Sequence, residues 1–320
     1  VRNYLGSTLT VGKGTGGGDE LLESGSRAPP RSVTKPAAAY AGRMATPVEA
    51  LVAERSHLCR LTLDRALASF DDAVAFLADR RVLTRTPDCS LPSLFEACHE
   101  DPYRAGGHGF AAWPKTKYWW AGELEQRPDV LVLKVHRGKN IMFTGSAIET
   151  VAVICLDELE RMEHADAGWR RVLRHLESAG PSTLEDLQRE LDLKPKELRS
   201  LRSPLERCGA VVARQRVLPV DSATDFEATA DAAGTAGHIH TSELARVDQV
   251  WTMPTSTRNP QESFEDLIVE GLRAAVVATE SELSRWFSWR WRYDVALVDR
   301  LVEQGRARRH EGGLVTSREP

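Results

Sequence analysis

The sequence predicts a mainly α-helical protein with short β-hairpins, an α+β fold built from tandem modules, and three observations carry that expectation. One formula occurs three times, an apolar helical face, then a small or polar break, then a short strand beside arginines: Leu77–Arg85, Leu205–Arg214 and Leu301–Arg309. In the second and third copies Gly209 and Gly305 fall where a helix would stop, because glycine takes the left-handed capping conformation without steric cost. Capping spellings at Ser69-x-x-Asp72, Ser182-x-x-Glu185 and Thr279-x-x-Glu282 open helices ahead of the copies. Helix, cap and strand in this order read as a winged helix, and winged-helix modules in tandem most often bind duplex DNA.

Composition narrows the alternatives. The chain of 320 residues, 42% of them apolar, can bury a sizeable core and divide into two or three domains. Its net charge of −4, from 42 basic and 46 acidic residues, does not suit a protein that coats nucleic acid indiscriminately, so DNA contacts must come from local clusters. Cys59, Cys89, Cys98, Cys155 and Cys208 form no Cys-x-x-Cys pair and no disulfide-rich cluster, which fits a reducing cytoplasm. No apolar run approaches the roughly 20 residues of a bilayer span, and the first residues lack a signal peptide's apolar core, so a cytoplasmic location with no membrane partner is expected.

Residues 1–45 read as a disordered tail. Glycine, serine, proline and lone charges dominate from Gly6 to Pro36, with too little apolar surface to offset the entropy of ordering. Gly12-x-Gly14-x-x-Gly17 matches the spelling of a dinucleotide-binding loop, but Ser24-Gly25-Ser26 and Pro29-Pro30 follow where a helix should run, so no cofactor is expected. The composition suggests a biological start nearer Met44.

Residues 46–160 form the first expected module. Pro47 suits a first helical turn, with Val48, Leu51 and Val52 on one face, and Val74, Leu77 and Ala78 repeat the pattern after the Ser69 cap. A short helix is expected within Cys89–Ala97. In Trp113–Trp120, Lys115 and Lys117 interleave with aromatics, a pattern that can neutralise phosphate and stack on a base, or bury tryptophans on an amphipathic helix. Val130–His136 and Asn140–Thr144 flank Arg137-Gly138-Lys139, which is the grammar of a β-hairpin.

Residues 161–218 carry the clearest module. Trp169, Val172, Leu173 and Leu176 mark a helix ending at Gly180-Pro181, and Leu184, Leu187 and Leu191 mark a second. Pro195 starts a third, on which Leu198, Leu201, Leu205 and Cys208 share one face and Lys196, Arg199, Ser203 and Arg207 the opposite one. Lys194, Lys196, Arg199, Arg202, Arg207, Arg214 and Arg216 stand against only Glu197 and Glu206, a local charge of +5 that would make DNA binding salt-dependent. Pro204 is expected to kink or divide this helix.

Residues 219–262 read as a linker with one embedded helix starting at Thr241–Arg246. His238 and His240 have zinc-ligand spacing but no further ligands nearby, so no metal is expected. Residues 263–320 are the last module: Phe264, Leu267, Ile268, Leu272 and Val276 line its first helix, and Arg290–Gly305 supplies the third. Arg306–Thr316 forms a wing with a Gly-Gly turn. Arg290, Arg292, Arg306 and Arg308 are its candidate phosphate contacts, together with Arg285, although Asp299 and Glu303 flank Arg292.

Phe76–Cys98, Trp113–Trp120, His238–Trp251 and Thr279–Phe287 are similar to the AlkZ/YcaQ-related winged-helix DNA glycosylase family. The resemblance spans roughly Thr46 to Val315. It implies three winged-helix modules cradling double-stranded DNA and, in active members, excision of bulky alkylated or crosslinked bases. That family's catalytic Gln-x-Gln or Gln-x-Asp element has no match here: no glutamine precedes Gln126, and Gln188-Arg189-Glu190 is the nearest spelling. Asp64, Asp71, Glu96 and Glu123 could in principle activate water, but nothing in their spacing selects one, so the catalytic residue is unknown. A non-enzymatic transcriptional regulator is the alternative.

Overall fold

The computed structural model describes residues 46–219, 238–251 and 258–317. The tail to residue 45, with its Gly12–Gly17 run and Met44, lies outside the described residues, as do 220–237.

Three stretches of chain repeat one order of elements. In the first, α1 (Pro47–Leu58) starts at a capping box between Thr46 and Glu49, and α2 (Phe70–Arg80) at one between Ser69 and Asp72. β1 (Val82–Thr84), α3 (Leu94–Ala97) and α4 (Trp119–Glu125) follow, then the hairpin of β2 (Val130–His136) and β3 (Lys139–Thr144). Its two turn residues, Arg137 and Gly138, have φ of 52° and 81°, the left-handed pair that matches strand twist in a tight hairpin. α5 (Ser146–Ala165) leads into the second stretch: α6 (Ala167–Ala179), β4 (Ser182–Thr183), α7 (Leu184–Glu190), α8 (Pro195–Cys208), β5 (Val211–Pro219) and β6 (His238–Arg246). After α9 (Val247–Val250) comes the third: α10 (Pro260–Ala275), β7 (Ala278–Thr279), α11 (Glu280–Trp286), α12 (Leu297–Glu303), β8 (Ala307–His310) and β9 (Leu314–Ser317).

Each stretch closes one antiparallel three-stranded sheet in the same way, with strand orders β1-β3-β2, β4-β6-β5 and β7-β9-β8. The short first strand pairs with the last, so every hairpin is fastened to the helices that precede it. The fold is therefore α+β.

Several expectations are corrected. Leu77–Arg85 is not equivalent to the later copies: it is α2 running into the first strand, capped by Arg81 at φ 63°, whereas Gly209 and Gly305 follow the third helix of their stretch. The α2 core face is Ala73, Phe76, Leu77 and Arg80, while α1 buries none of its residues. Thr183, not Ser182, caps α7: its hydroxyl accepts from the Asp186 N–H at 3.1 Å, while the Ser182 hydroxyl donates back to the Gly180 carbonyl at 3.0 Å. Thr241–Arg246 belongs to β6, since β5 supplies a full ladder that overrides a local capping spelling. α8 runs through Pro204 undivided; the burial of Leu205 and Cys208 just beyond it packs the last turn in place. Arg290–Arg292 is a single 3-10 turn, and only Leu297–Glu303 is α-helical. The last hairpin turns over three residues, Glu311–Gly313, rather than on Gly-Gly alone.

α5, which the sequence reading passed over, is the central helix. Ala147, Ile148, Val151, Ile154, Cys155, Leu159 and Met162 are buried along it. One continuous core joins all three sheets, from Val82 and Leu133 through Leu205 and Leu244 to Trp286 and Val315. Trp289 and Trp286 lie within it, their indole N–H groups donating to the Cys208 carbonyl (3.0 Å) and Ser90 Oγ (3.0 Å). Ala45–Pro320 thus forms one compact unit. No helix among the described residues is long and apolar enough to cross a membrane.

Candidate nucleic-acid interface

α8 buries Leu198, Leu205 and Cys208, which turns its other face outward. Lys196 and Arg199 are exposed there, Ser203 is half-buried, and Arg207 is exposed at the C-terminal end. Twelve positions of helix, from Lys196 to Arg207, carry this stripe over about 16 Å. Lys194 is exposed at the N-cap, where its backbone N–H donates to Glu197 Oε2 at 2.9 Å. Arg202 is half-buried, and its Nη1 is enclosed without a partner. Arg214, on β5, is half-buried near Glu125, whose carboxyl is pushed up by burial against the pull of Arg85 and Arg214. Arg216 lies on β5, but its side chain is outside the described residues, as are those of His238 and His240.

At its end the stripe meets a cavity of about 490 Å³ lined by Arg137, Arg161, Arg207 and Arg290 together with Met162, Trp169, Phe287 and Trp291. The Arg207 guanidinium closes over Gly138, so the β2–β3 turn and α8 are in direct contact. Arg161 stacks on Trp291, with its guanidinium carbon 4.9 Å from the ring centroid, and donates to Glu158 Oε2 at 2.5 Å. Ser288 also lines the cavity, and its hydroxyl is enclosed without a hydrogen-bond partner.

Arg137 also lines a smaller cavity of about 100 Å³, with Asp88, Cys89, His136, Glu282 and Arg285. His136 is buried, and its Nδ1 lies 2.6 Å from the Trp286 carbonyl. A carbonyl only accepts, so Nδ1 carries the proton and Nε2, enclosed and unpartnered, presents its lone pair. Burial lowers the imidazole below its ordinary value, with the Trp286 carbonyl opposing. Burial likewise pushes the Cys89 thiol up to about 11, which makes it a poor nucleophile at neutral pH. Burial raises the Asp88 carboxyl too, but hydrogen bonds from Lys139 and Thr86 outweigh it and hold the group low and ionised.

Three predicted phosphate contacts spend their donors on partners within the protein. Arg292 binds Asp157 and Glu158, the latter at 2.8 Å and with no exposed surface. Arg306 is paired with Asp266. Lys117 donates to the Leu67 carbonyl (2.7 Å) and lies over Trp120 at 5.4 Å. Lys115, Arg290 and Arg308 are exposed. Trp119 remains 56% exposed while Trp113 and Trp120 pack partly into the core, so the aromatic segment buries only part of its surface.

Asp64, Asp71, Glu96 and Glu123 are all exposed, and none lines either arginine cavity. Gln188 sits on α7, away from both. Sequence reasoning missed Arg137, Arg161, His136 and Trp291, which different elements bring together; the Arg290-Trp291-Arg292 spelling was the available signal. Among the described residues no group of three or more His, Cys, Asp or Glu side chains could hold a metal ion. No family model matches this chain, and neither curated proteins nor solved structures give a significant match.

Proposed function

We propose that the protein binds double-stranded DNA through three winged-helix modules, with α8 as the principal reading helix. The observation that carries this is the coincidence of a topology with a charge pattern. Helix, short strand, two helices and a hairpin, with the first strand pairing to the last, occur three times. On the third helix of the middle copy Lys196, Arg199 and Arg207 have no acidic partner among the described residues, in a chain of net charge −4. An α-helix fits the roughly 12 Å width of the major groove, and unpaired cations can replace phosphate counterions.

The resemblance to DNA glycosylases favours repair of alkylated bases as the setting. The missing Gln-x-Gln element favours a second reading, a non-enzymatic regulator that binds an operator. Five free thiols suit a reducing cytoplasm for either. Fluorescence anisotropy with a labelled random duplex should give saturable binding that weakens in K196A/R199A; an alkylated duplex incubated with the protein should release its modified base under the repair reading. Preference for one undamaged sequence, with no base released, would support the regulator. Absence of saturable binding to any duplex at low salt rules out both.

A further inference from the structure

We propose that the 490 Å³ cavity at the end of α8 is a binding site for a single nucleotide unit, its base against the aromatic wall and its phosphate held by the arginine rim. The source can be a nucleotide extruded from duplex DNA, which rests on the DNA-binding reading, or a free nucleotide, which does not.

Four arginines line this one cavity, and only Arg161 has a carboxylate, Glu158. Arg137, Arg207 and Arg290 have no acidic partner among the described residues, and all three are exposed. Guanidinium groups grouped in this way repel one another unless an anion sits among them, and their planar forks match phosphate oxygens in pairs. Apart from Ser288 the rest of the lining is apolar, and Trp169, Phe287, Trp291 and Met162 make up most of it. Trp291 leaves 57% of its surface in water, an unusual place for the largest apolar side chain and a suitable one for stacking on a base. Inorganic phosphate would satisfy the arginines and leave the indoles wet; a neutral ring would do the reverse.

A third group argues for a ligand with polar edges. Ser288 Oγ is enclosed and has no hydrogen-bond partner, and a buried hydroxyl without one carries a desolvation penalty that a ligand donor or acceptor relieves. The volume lies within the roughly 300–1,000 Å³ typical of small-molecule sites. Arg207 joins the cavity to the Lys196–Arg199 stripe, so a duplex lying along α8 brings its backbone to the mouth.

The test uses the full chain and two probes. Calorimetric titration with AMP, adenosine and inorganic phosphate reads the free-nucleotide source, and a duplex bearing 2-aminopurine, followed by fluorescence, reads extrusion. Saturable AMP binding at least tenfold tighter than adenosine or phosphate supports the proposal, and so does 2-aminopurine brightening when the duplex binds. Either signal should fall at least tenfold in W291A and in R290A, which alter exposed side chains and should leave the melting temperature unchanged. The proposal is overturned if neither signal occurs, or if both variants retain it in full. Anisotropy of a labelled duplex, measured in parallel, keeps the two readings apart: duplex binding without either signal removes the nucleotide site alone, and AMP binding without duplex binding removes the DNA reading alone.

Discussion

At the scale of single residues, His136 makes the most specific statement about conditions. Its imidazole is neutral in the folded protein because burial disfavours the charged form, while in the unfolded chain it titrates near 6.5. A folded value depressed below the unfolded one means that stability is fully present above pH 6.5 and is lost as pH falls through the folded value. Thermal melting of the native protein should therefore shift downward below that pH. The fall should be shallower in H136N, whose amide can keep the donor to the Trp286 carbonyl without titrating; parallel pH profiles would contradict the assignment. Residue-level legibility tracked the sequence distance to the partner. Lys196 and Arg199 are exposed as their helical spacing predicts, because their own helix decides it. Arg292, Arg306 and Lys117 are drawn inward by Asp157, Asp266 and the Leu67 carbonyl, 135, 40 and 50 positions away, where no local pattern points.

At the scale of elements, the β2–β3 turn is where conformation and proposed function meet. Gly138 holds φ at +81°, and a methyl group added there would lie 3.1 Å from Arg207 Nε. G138A should lose about 1–2 kcal/mol of stability in urea denaturation, from the left-handed conformation alone. It should also displace Arg207 and weaken duplex binding, measured by anisotropy; unchanged stability and affinity together would show that neither constraint operates. The hairpin itself was legible, since two apolar runs flank a glycine. The starts of α1, α2, α7, α8 and α11 were legible to within a residue, with Thr183 for Ser182 the one slip, whereas α10 opens at Pro260 ahead of the expected Ser263 and α12 at Leu297 rather than at Arg290. β6 was not, because Thr241–Arg246 spells a helix cap and only its ladder with β5 makes it a strand. α5 escapes the pattern because its first half, Ala147–Cys155, is buried at every position but Glu149 and shows no polar stripe there to mark its period.

At the scale of the whole molecule, three sheets share one core, so the cationic groups of different stretches are held at fixed positions around α8. Only two copies of the formula, Leu205–Arg214 and Leu301–Arg309, fall at matching places, where the third helix runs into the hairpin; Leu77–Arg85 lies at the first strand instead. The formula could not reveal that α5 and the Arg137 turn would bring four arginines and three aromatic side chains to one cavity, a juxtaposition that exists only after packing. The central claim is that unpaired cations along α8 neutralise phosphates on a duplex. It is tested most directly by the slope of log affinity against log salt concentration for the native protein and for K196A/R199A. Each lost phosphate contact should flatten the slope by about 0.9, so the variant should bind more weakly at low salt and fall off less steeply as salt rises. An identical slope and affinity in the two proteins would contradict the account.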